Sequence, residues 1–339
     1  MKLKVALIGL GTVSHIHKYI VEKSEYSEIV ALCDIDESKK IDGYNFYTDY
    51  KEMIDKEEID VVHVLLPHYL HIEVTKYCVK NNIHVLLEKP IGISYKEAKD
   101  LANFIEDYPN VKVAVCLQNR LNDCTKFLVK LVDNKRLGEL VGIKGNVSWF
   151  RPKEYYTEAP WRGTILEAGS GVMINQAIHT IDLMYLIAGK AESLKGGMDN
   201  IYHDYIEVED FAYANIEYKN NVKGLFTATT ANTTNSSVYL VAYFENGELI
   251  IQDNKLYLKD YMEEEPTKQL LVEDEKLPGS KFYYGAGHNR YINGFYQDIL
   301  NDTSNYIKVK DALEMHRIID GIKLSHETHQ RVYLKDLED

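Results

Sequence analysis

The chain has 339 residues, of which 45% are hydrophobic and 27% are charged, and it contains only seven prolines. This composition indicates a folded protein of two domains and excludes a disordered or fibrous one. The formal net charge of −13 comes without a basic, aromatic-rich cluster, so we expect no nucleic-acid partner. No apolar run approaches the roughly 18 residues that cross a bilayer, so we expect no membrane partner either.

The first third of the sequence alternates predicted strands with predicted helices. Short apolar runs bounded by glycine, proline or charged residues predict strands at 4–10, 29–33, 60–66, 83–87 and 111–117. Helical segments reach about residue 23 and span 72–82 and 94–106. Ser94 followed by Glu97 fits a capping box at the start of the last of these helices. The alternation predicts an α/β fold whose residues 1–120 form a Rossmann domain with a doubly wound parallel sheet.

A glycine-containing turn separates the first predicted strand from the first helix, and it reads Gly9-Leu10-Gly11-Thr12-Val13-Ser14. The first glycine permits a tight turn, and the second lets the backbone approach a pyrophosphate at the helix N-terminus. The third position is normally glycine or alanine, so we expect slightly looser packing at Ser14. The motif predicts a dinucleotide site here, with a cofactor-free glycine turn as the alternative.

Asp34 follows Gly9 by 25 residues and ends the second predicted strand. A carboxylate at this place accepts hydrogen bonds from the ribose hydroxyls and repels a 2′-phosphate. No arginine stands beside it, and Asp36 adds negative charge. The sequence therefore favours NAD over NADP as the cofactor.

From about residue 119 the pattern changes. Helices are predicted at 123–134, 174–188, 288–300 and 311–330, and longer alternating strands at 141–150, 211–218, 222–230, 237–244 and 248–258. Asn246-Gly247 is a strong hairpin signal between two of these strands. Residues 121–339 are therefore predicted to form an α+β domain with a mostly antiparallel, open-faced sheet, which would bind substrate and mediate oligomerisation.

Three segments with reactive or ligand-binding side chains lie at informative places. Glu88-Lys89-Pro90 ends the fourth predicted strand, at the sheet edge where such domains bind ligands. Gln118-Asn119-Arg120 ends the fifth, and a third segment runs from Trp161-Arg162-Gly163 to Asp182. Together with the glycine turn these segments resemble the Gfo/Idh/MocA family of oxidoreductases, which includes glucose–fructose oxidoreductase and inositol dehydrogenases. The resemblance covers nearly the whole chain, through Val208-Glu209-Asp210, Tyr284-Gly285-Ala286-Gly287-His288 and Asp311-Ala312-Leu313.

The resemblance implies NAD as the cofactor and a set of site residues. Lys89 would give a proton or hydrogen bond to the reacting oxygen, and His179 would act as acid or base, with Asn175 as the third catalytic position. The residues implied to contact the cofactor are Gly9, Gly11, Thr12, Val13, Asp34, Leu66, Pro67, His68, His71, Glu88, Lys89, Gln118, Trp161 and Arg162. Those implied to contact the substrate are Lys89, Trp161, Arg162, Asn175, His179 and His288.

One face of the predicted 174–188 helix would carry Asn175, His179 and Asp182, because these residues are spaced by four and three. Asp182 would be either a hydrogen-bond partner on that face or an orienter of His179. Two positions depart from the common family pattern. Asn175 stands where many members have aspartate and cannot take up a proton, and His68 stands where asparagine is common.

The resulting prediction is an NAD-dependent dehydrogenase or reductase acting on a secondary alcohol or ketone carbon of a sugar, sugar derivative or cyclitol. The alternative is a catalytically inactive NAD-binding regulatory or scaffold protein of the same fold, which Asn175 alone favours. Within enzymes, a tightly held cofactor recycled between two substrates also stays open.

The remaining predictions concern compartment, metal and assembly. The four cysteines form no Cys-x-x-Cys pair and the N-terminal segment lacks signal-peptide features, so we expect a cytoplasmic protein with reduced thiols. We expect no metal site, because His15 and His17 point to different faces of a helix and His68 and His71 bracket a turn. The resemblance implies a homodimer or homotetramer formed through the open sheet face at 211–230.

Overall fold

The structure is a computed structural model that describes residues 2–276 and 286–337. Its internal contacts divide the chain into two compact units. The first unit is Met1–Gln118 with Gly287–Leu313, and the second is Asn119–Ala286 with Glu314–Asp339. Strands and helices are numbered below along the chain.

The first unit contains a parallel sheet whose described strands follow the order β3-β2-β1-β4-β5-β6. The strands are β1 Leu3–Ile8, β2 Ser27–Cys33, β3 Asn45–Tyr47, β4 Val61–Val64, β5 His84–Glu88 and β6 Val113–Cys116. All four residues of β4 and β6 are buried, as expected for strands covered on both faces. The predicted Rossmann sheet is confirmed; the short edge strand β3, rich in neither valine nor isoleucine, was not anticipated.

The helices of the first unit connect these strands and end with one that comes from far along the chain. They are α1 Ser14–Lys23, α2 Tyr50–Lys56, α3 His71–Lys80, α4 Tyr95–Glu106 and α10 Gly287–Leu300. The Ser94 side chain caps α4 as predicted, whereas the Glu97 carboxylate accepts from the amide of Ile93 and not from that of Ser94. Sequence reasoning placed α10 in a second domain; instead it groups with the first unit, where it contacts α1 and β6.

The second unit contains a mixed sheet with the described strand order β14-β13-β12-β11-β7-β10-β9-β8-β15. Its strands are β7 Leu140–Ser148, β8 Ala191–Asp199, β9 Phe211–Tyr218, β10 Lys223–Thr229, β11 Tyr239–Phe244, β12 Gly247–Gln252, β13 Lys255–Asp260, β14 Gln269–Glu273 and β15 Val332–Tyr333. Strands β7 and β10 pair in parallel, and the other neighbours are antiparallel. Burial alternates along β9, so one face of the sheet is covered and the other carries exposed Tyr213.

The helices of the second unit are α5 Asp123–Asp133, α6 Lys153–Thr157, α7 Ile165–Ala168, α8 Val172–Asn175, α9 Ile178–Ala188 and α11 Leu313–Thr328. Helix α9 packs closely on β7, where a Cβ atom at Gly145 would lie 2.6 Å from Met184 Sδ. A single helix over 174–188 was predicted, and this is wrong. The helix is interrupted at Gln176 and Ala177, where the amide of Ala177 bonds to Val172 O, five residues back, at 2.9 Å.

Two hairpin turns of the second sheet can be compared with the sequence prediction. The Asn246-Gly247 hairpin is confirmed, with Phe244 paired to Gly247. The predicted strand at 248–258 is instead two strands, because Asp253 and Asn254 both take positive φ, at 56° each, and form a tight hairpin turn. Asparagine and aspartate tolerate this conformation better than other non-glycine residues. Across residues 2–276 and 286–337, every helix is too short or too polar to traverse a lipid bilayer.

Candidate active site

The glycine turn of the first unit has the geometry that a bound pyrophosphate requires. Gly9 takes φ +95°, and a Cβ atom there would lie 2.5 Å from Leu65 O, so only glycine fits. Gly11 differs, because a Cβ atom there would meet open space within 4 Å. Its bare backbone precedes α1, whose N-terminus attracts anions. The turn thus leaves room for a phosphate group, and the residues present fit a dinucleotide.

Ser14, the third position of the motif, is buried and not loosely placed. Its hydroxyl donates to Gly11 O at 2.7 Å, which ties the first turn of α1 to the glycine turn. Thr12 and Val13 lie between these two residues, next to the start of α1. The hydroxyl therefore takes the place of the close packing that glycine or alanine gives.

Asp34 follows β2 and organises the same sheet edge. Its Oδ2 atom accepts from the amide of Leu10 at 2.7 Å, and its Oδ1 atom accepts from the amide of Asp36 at 3.0 Å. Lys39 donates to Oδ2 at 2.9 Å. The lysine in this network was not anticipated from the sequence. It brings one positive charge next to the Asp34 carboxylate.

Buried histidine side chains hold the segment that follows β4. Pro67 precedes a single helical turn, and His68 and His71 are both buried. His71 points its Nδ1 atom at Pro90 O, 2.6 Å away, and its Nε2 atom at Leu66 O, 2.8 Å away. Burial lowers the pKa of His71, and the hydrogen bonds to these two carbonyls oppose that shift. His71 thus joins the loops after β4 and β5, a supporting position for the predicted cofactor contacts Leu66, Pro67 and His68.

Glu88 and Lys89 stand at the C-terminal end of β5. The Oε1 atom of Glu88 lies 3.0 Å from His17 Nε2, and its Oε2 atom accepts from the amide of Lys89 at 3.2 Å. Burial alone would raise the pKa of Glu88, but the hydrogen bond from His17 and the neighbouring His288 and Lys89 lower it well below its usual value. The carboxylate is therefore ionised inside the unit.

A group of buried side chains surrounds Glu88, and sequence reasoning missed it. His17, Glu88, Cys116 and His288 bring nitrogen, oxygen and sulfur atoms within 4.8 Å of one another, a donor set that suits a transition metal. His17 was expected on a helix and outside any metal site, and His288 was expected at the substrate. Here His288 is only 1% exposed, 3.8 Å from Glu88, and burial lowers its pKa to about 3. Tyr284 and Gly285 of its motif lie outside the described residues.

Gln118, which closes the first unit, is buried and accepts weakly from Cys116 Sγ at 3.8 Å. All four cysteines of the chain are buried and unpaired in disulfides. Burial raises the pKa of the Cys116 thiol well above its usual value, so the group is protonated.

In the second unit, Trp161 and Arg162 form an aromatic and cationic cluster with Tyr155. The Arg162 guanidinium lies 4.4 Å from the centre of the Tyr155 ring and 5.5 Å from that of Trp161, and it donates to Tyr155 O at 3.0 Å. The hydroxyl of Tyr155 accepts from Gln176 Nε2 at 3.0 Å. Since Gln176 follows Asn175 directly, this cluster is fixed to the chain that carries Asn175.

A carboxylate that sequence reasoning only placed in a motif shapes the same region. Glu209 accepts from the hydroxyl of Ser170 at 2.8 Å and from the amides of Gly171 and Met173 at 2.8 and 3.0 Å. A Cβ atom at Gly171 would lie 1.9 Å from Glu209 O, so the two segments touch through their backbones. Glu209 therefore fixes the start of α8, which ends at Asn175.

Asn175 and His179 are the two partly exposed positions in the otherwise buried segment 171–184. They lie on different helices, α8 and α9, so the expected single face is replaced by a break that still lets both side chains reach the surface of this unit. Asp182 does not orient His179: it accepts from Arg120 Nε and Nη2 at 2.9 and 2.5 Å. This buried bidentate pair anchors α9 to the chain before α5.

Two family models match this chain, and together they span most of it. The oxidoreductase family model with an NAD-binding Rossmann fold matches residues 3–116. The GFO/IDH/MocA C-terminal domain model matches residues 126–250. The chain belongs to the Gfo/Idh/MocA family of oxidoreductases.

Full-length similarity extends to proteins of this family. An uncharacterized oxidoreductase of Synechocystis is 24% identical over 99% of this chain and 97% of its own. The WlbA dehydrogenase of Bordetella pertussis, solved with NADH and UDP-GlcNAcA, is 22% identical, covers 98% of this chain and 99% of its own, and has a TM-score of 0.84. Levoglucosan dehydrogenase, solved with NADH and levoglucosan, is 18% identical, with coverage of 98% and 100% and a TM-score of 0.86. Both structures share the fold described above.

The predicted site residues lie near one another within each unit. In the first unit, the glycine turn, Asp34 and the ends of β4 and β5 meet at one sheet edge. In the second unit, the loop with Trp161 and Arg162 meets the chain that carries Asn175. Lys39 lies only five residues after its partner Asp34, but no motif in the sequence marked it.

Proposed function

We propose that this protein is an NAD-dependent oxidoreductase that interconverts a secondary alcohol and a ketone on a sugar, sugar derivative or cyclitol. The main support is the position of Lys89. It follows Glu88, whose carboxylate is held by hydrogen bonds at the end of β5, and it lies in the same unit as the open glycine turn. Reactive groups in parallel sheets work at this edge. The sugar ligands of the similar WlbA and levoglucosan dehydrogenases support the substrate class.

In this proposal different side chains stabilise the charge on the reacting oxygen and transfer its proton. Bound nicotinamide would supply or accept the hydride. Lys89 stabilises negative charge on the reacting oxygen, which an ammonium does well where water is excluded. His179 accepts or returns the proton, since Asn175 can only hydrogen-bond a hydroxyl. Trp161 offers an apolar ring to a sugar face, and Arg162 offers donors to hydroxyl or anionic groups.

The test is a direct assay of purified protein with NAD or NADP across sugars, cyclitols and nucleotide-linked sugars. Formation of reduced nicotinamide, followed by its near-ultraviolet absorbance, with one substrate class supports the proposal. Calorimetric titration with both nucleotides accompanies the assay. If neither nucleotide binds, the proposal is wrong, and tight NAD binding without turnover on a broad panel would favour a regulatory protein instead.

Asp34 and Lys39 should have opposite effects on cofactor choice. Asp34→Ala removes a charged acceptor for the ribose and leaves the lysine, so NAD affinity should fall about tenfold and NADP affinity should rise. Lys39→Ala leaves the Asp34 carboxylate without its lysine partner. NADP should then bind more weakly than it does to the unmodified chain, and NAD should bind about as before. Titration calorimetry of both variants with both nucleotides checks this. Equal losses for NAD and NADP in Asp34→Ala would contradict a ribose contact.

We also propose that the protein works in the cytoplasm as a homodimer or homotetramer. Its four buried thiols suit a reducing compartment. The uncovered sheet face of the second unit presents Tyr213 and Leu225, exposed by 48% and 45%, as apolar contacts for a second copy. Light scattering of Tyr213→Lys together with Leu225→Lys should show a smaller particle than the unmodified chain.

A further inference from the structure

A continuous line of buried polar groups runs through the first unit from α10 to the end of β5. The hydroxyl of Tyr296 lies 2.8 Å from His63 Nε2, and His63 Nδ1 lies 2.9 Å from His17 Nδ1. His17 Nε2 lies 3.0 Å from Glu88 Oε1. Helix α10, strand β4, helix α1 and strand β5 each contribute one member. Tyr296, His63 and His17 are fully buried, so water does not compete for these hydrogen bonds.

The direction of each hydrogen bond follows from the ionised end. An ionised carboxylate only accepts, so His17 must carry its proton on Nε2. With this single proton on His17, its Nδ1 atom is an acceptor, and His63 donates to it from Nδ1. This leaves His63 Nε2 as an acceptor for the Tyr296 hydroxyl. Burial lowers the pKa of His63 well below its usual value, which agrees with a neutral ring. Every donor in the line meets one acceptor.

The far end of the line reaches the catalytic lysine through its backbone. Glu88 uses one oxygen for His17 and the other for the amide of Lys89, at 3.2 Å. Because both oxygens of the Glu88 carboxylate accept hydrogen bonds, the carboxylate cannot rotate without losing one of them. We propose that Tyr296, His63 and His17 are positioning residues that fix Glu88 and, through it, the main chain of Lys89. The line ends at a fully buried tyrosine, so it orients Glu88 and does not conduct protons to solvent.

The same neighbourhood offers donor atoms that a metal ion could use, and the line accounts for two of the four donor residues, His17 and Glu88, without one. His17 and Glu88 already bond to each other, and His17 meets His63 through its other nitrogen. A metal held by His17 would take the Nε2 lone pair and move its proton to Nδ1. His63 would then have to accept from His17 and donate to Tyr296. The position of the proton on His63 therefore separates the two arrangements.

The first experiment reads the protons directly and needs no substrate. Nitrogen NMR of histidine-labelled full-length protein at neutral pH, without cofactor, should show His63 protonated on Nδ1 alone and His17 on Nε2 alone. Variants His63→Gln and His17→Gln assign the signals. A His63 proton on Nε2, a mixture of tautomers, or a doubly protonated His17 would overturn the proposal, and zinc in elemental analysis accompanied by the His63 Nε2 proton would replace it with a metal site.

The second experiment tests whether the line matters for Lys89, and it rests on the proposed function. His17→Phe should lower kcat about tenfold or more with KM changed by less than about threefold, because a bond to a charged group is lost while substrate contacts stay. His17→Gln keeps an Nε2 donor and should recover most of that loss. An equal loss in both variants, or a change confined to KM, would contradict a positioning role.

A matched pair on α10 controls for simple destabilisation. Tyr296→Phe removes the donor to His63, so kcat should fall by about threefold to tenfold and the His63 tautomer should become mixed. Tyr291→Phe removes a buried hydroxyl of the same helix, one that donates to Val115 O outside the line. It should cost similar thermal stability and leave the tautomer and kcat unchanged. If both variants change kcat and the His63 tautomer alike, the buried line has no positioning role and contributes only to stability. If no substrate is found, the tautomer of His63 still tests the proposal.

Discussion

Replacing Lys89 by methionine should lower turnover about a thousandfold or more while NAD still binds within a few-fold of its original affinity. Methionine has nearly the length of lysine and carries no charge, so the oxygen that becomes negative in the reaction loses its nearest cation. The glycine turn and Asp34, which are expected to carry most of the cofactor affinity, stay intact. Steady-state rates with the substrate found in the assay, together with calorimetric NAD titration, measure both quantities.

The matched control is Lys96→Met, an exposed lysine seven residues further on, which should leave the rate unchanged. Lys89→Arg keeps a cation of different shape and should fall between the two. Wild-type turnover in Lys89→Met would show that another group supports the reacting oxygen and that the role carried over from the family is wrong for this chain. Loss of NAD binding along with turnover would instead show a cofactor-binding role for Lys89.

Local sequence patterns were sufficient for the parallel sheet and its ligand edge. The buried runs 60–66 and 83–87 are followed by Pro67 and by Glu88-Lys89-Pro90. In the structure β4 ends at Val64, three residues before Pro67, and β5 ends at Glu88. The pattern works because strands covered on both faces must be almost wholly apolar, and the residues that follow them must be polar or turn-forming. The same logic predicts that Asp34 and Lys89 lie at one edge of the sheet.

The sequence predicted element boundaries less well where no glycine or proline marks the interruption of a strand or helix. The run 248–258 contains Asp253 and Asn254, whose positive φ values turn the chain, yet both residues also fit an exposed strand position. Gln176 and Ala177 interrupt the helix although both are good helix formers. Their region is shaped by Glu209, more than thirty residues away along the chain. Tertiary contacts override propensity there.

The buried line from Tyr296 to Glu88 lay beyond sequence reasoning for a similar cause. Its successive contacts join residues 233, 46 and 71 positions apart. A lone histidine in a strand or helix gives no indication of which partner it will meet. His17 and His63 thus looked like ordinary core or surface residues, although they lie directly behind the Glu-Lys-Pro motif that the sequence did single out.

Removing Arg120 should cost the second unit about 3–5 kcal/mol of free energy of unfolding. Arg120→Met keeps much of the side-chain volume but leaves Asp182, 1% exposed, without its two charged hydrogen bonds. Burial raises the pKa of Asp182, and Arg120 opposes that rise, so the variant raises it further. Urea unfolding of the full chain, followed by a signal from the second unit, measures the loss.

The pH dependence and a double variant separate this cause from a packing defect. An acid whose pKa is raised by folding destabilises the fold as pH climbs from its unfolded pKa, near 3.9, through the raised value. The deficit of Arg120→Met should therefore be largest at neutral pH and shrink as pH falls toward 4. Adding Asp182→Leu removes the buried charge and should restore most of the stability. A pH-independent deficit that the double variant does not relieve would mean that Arg120 acts through its packing on Tyr185, 5.9 Å away.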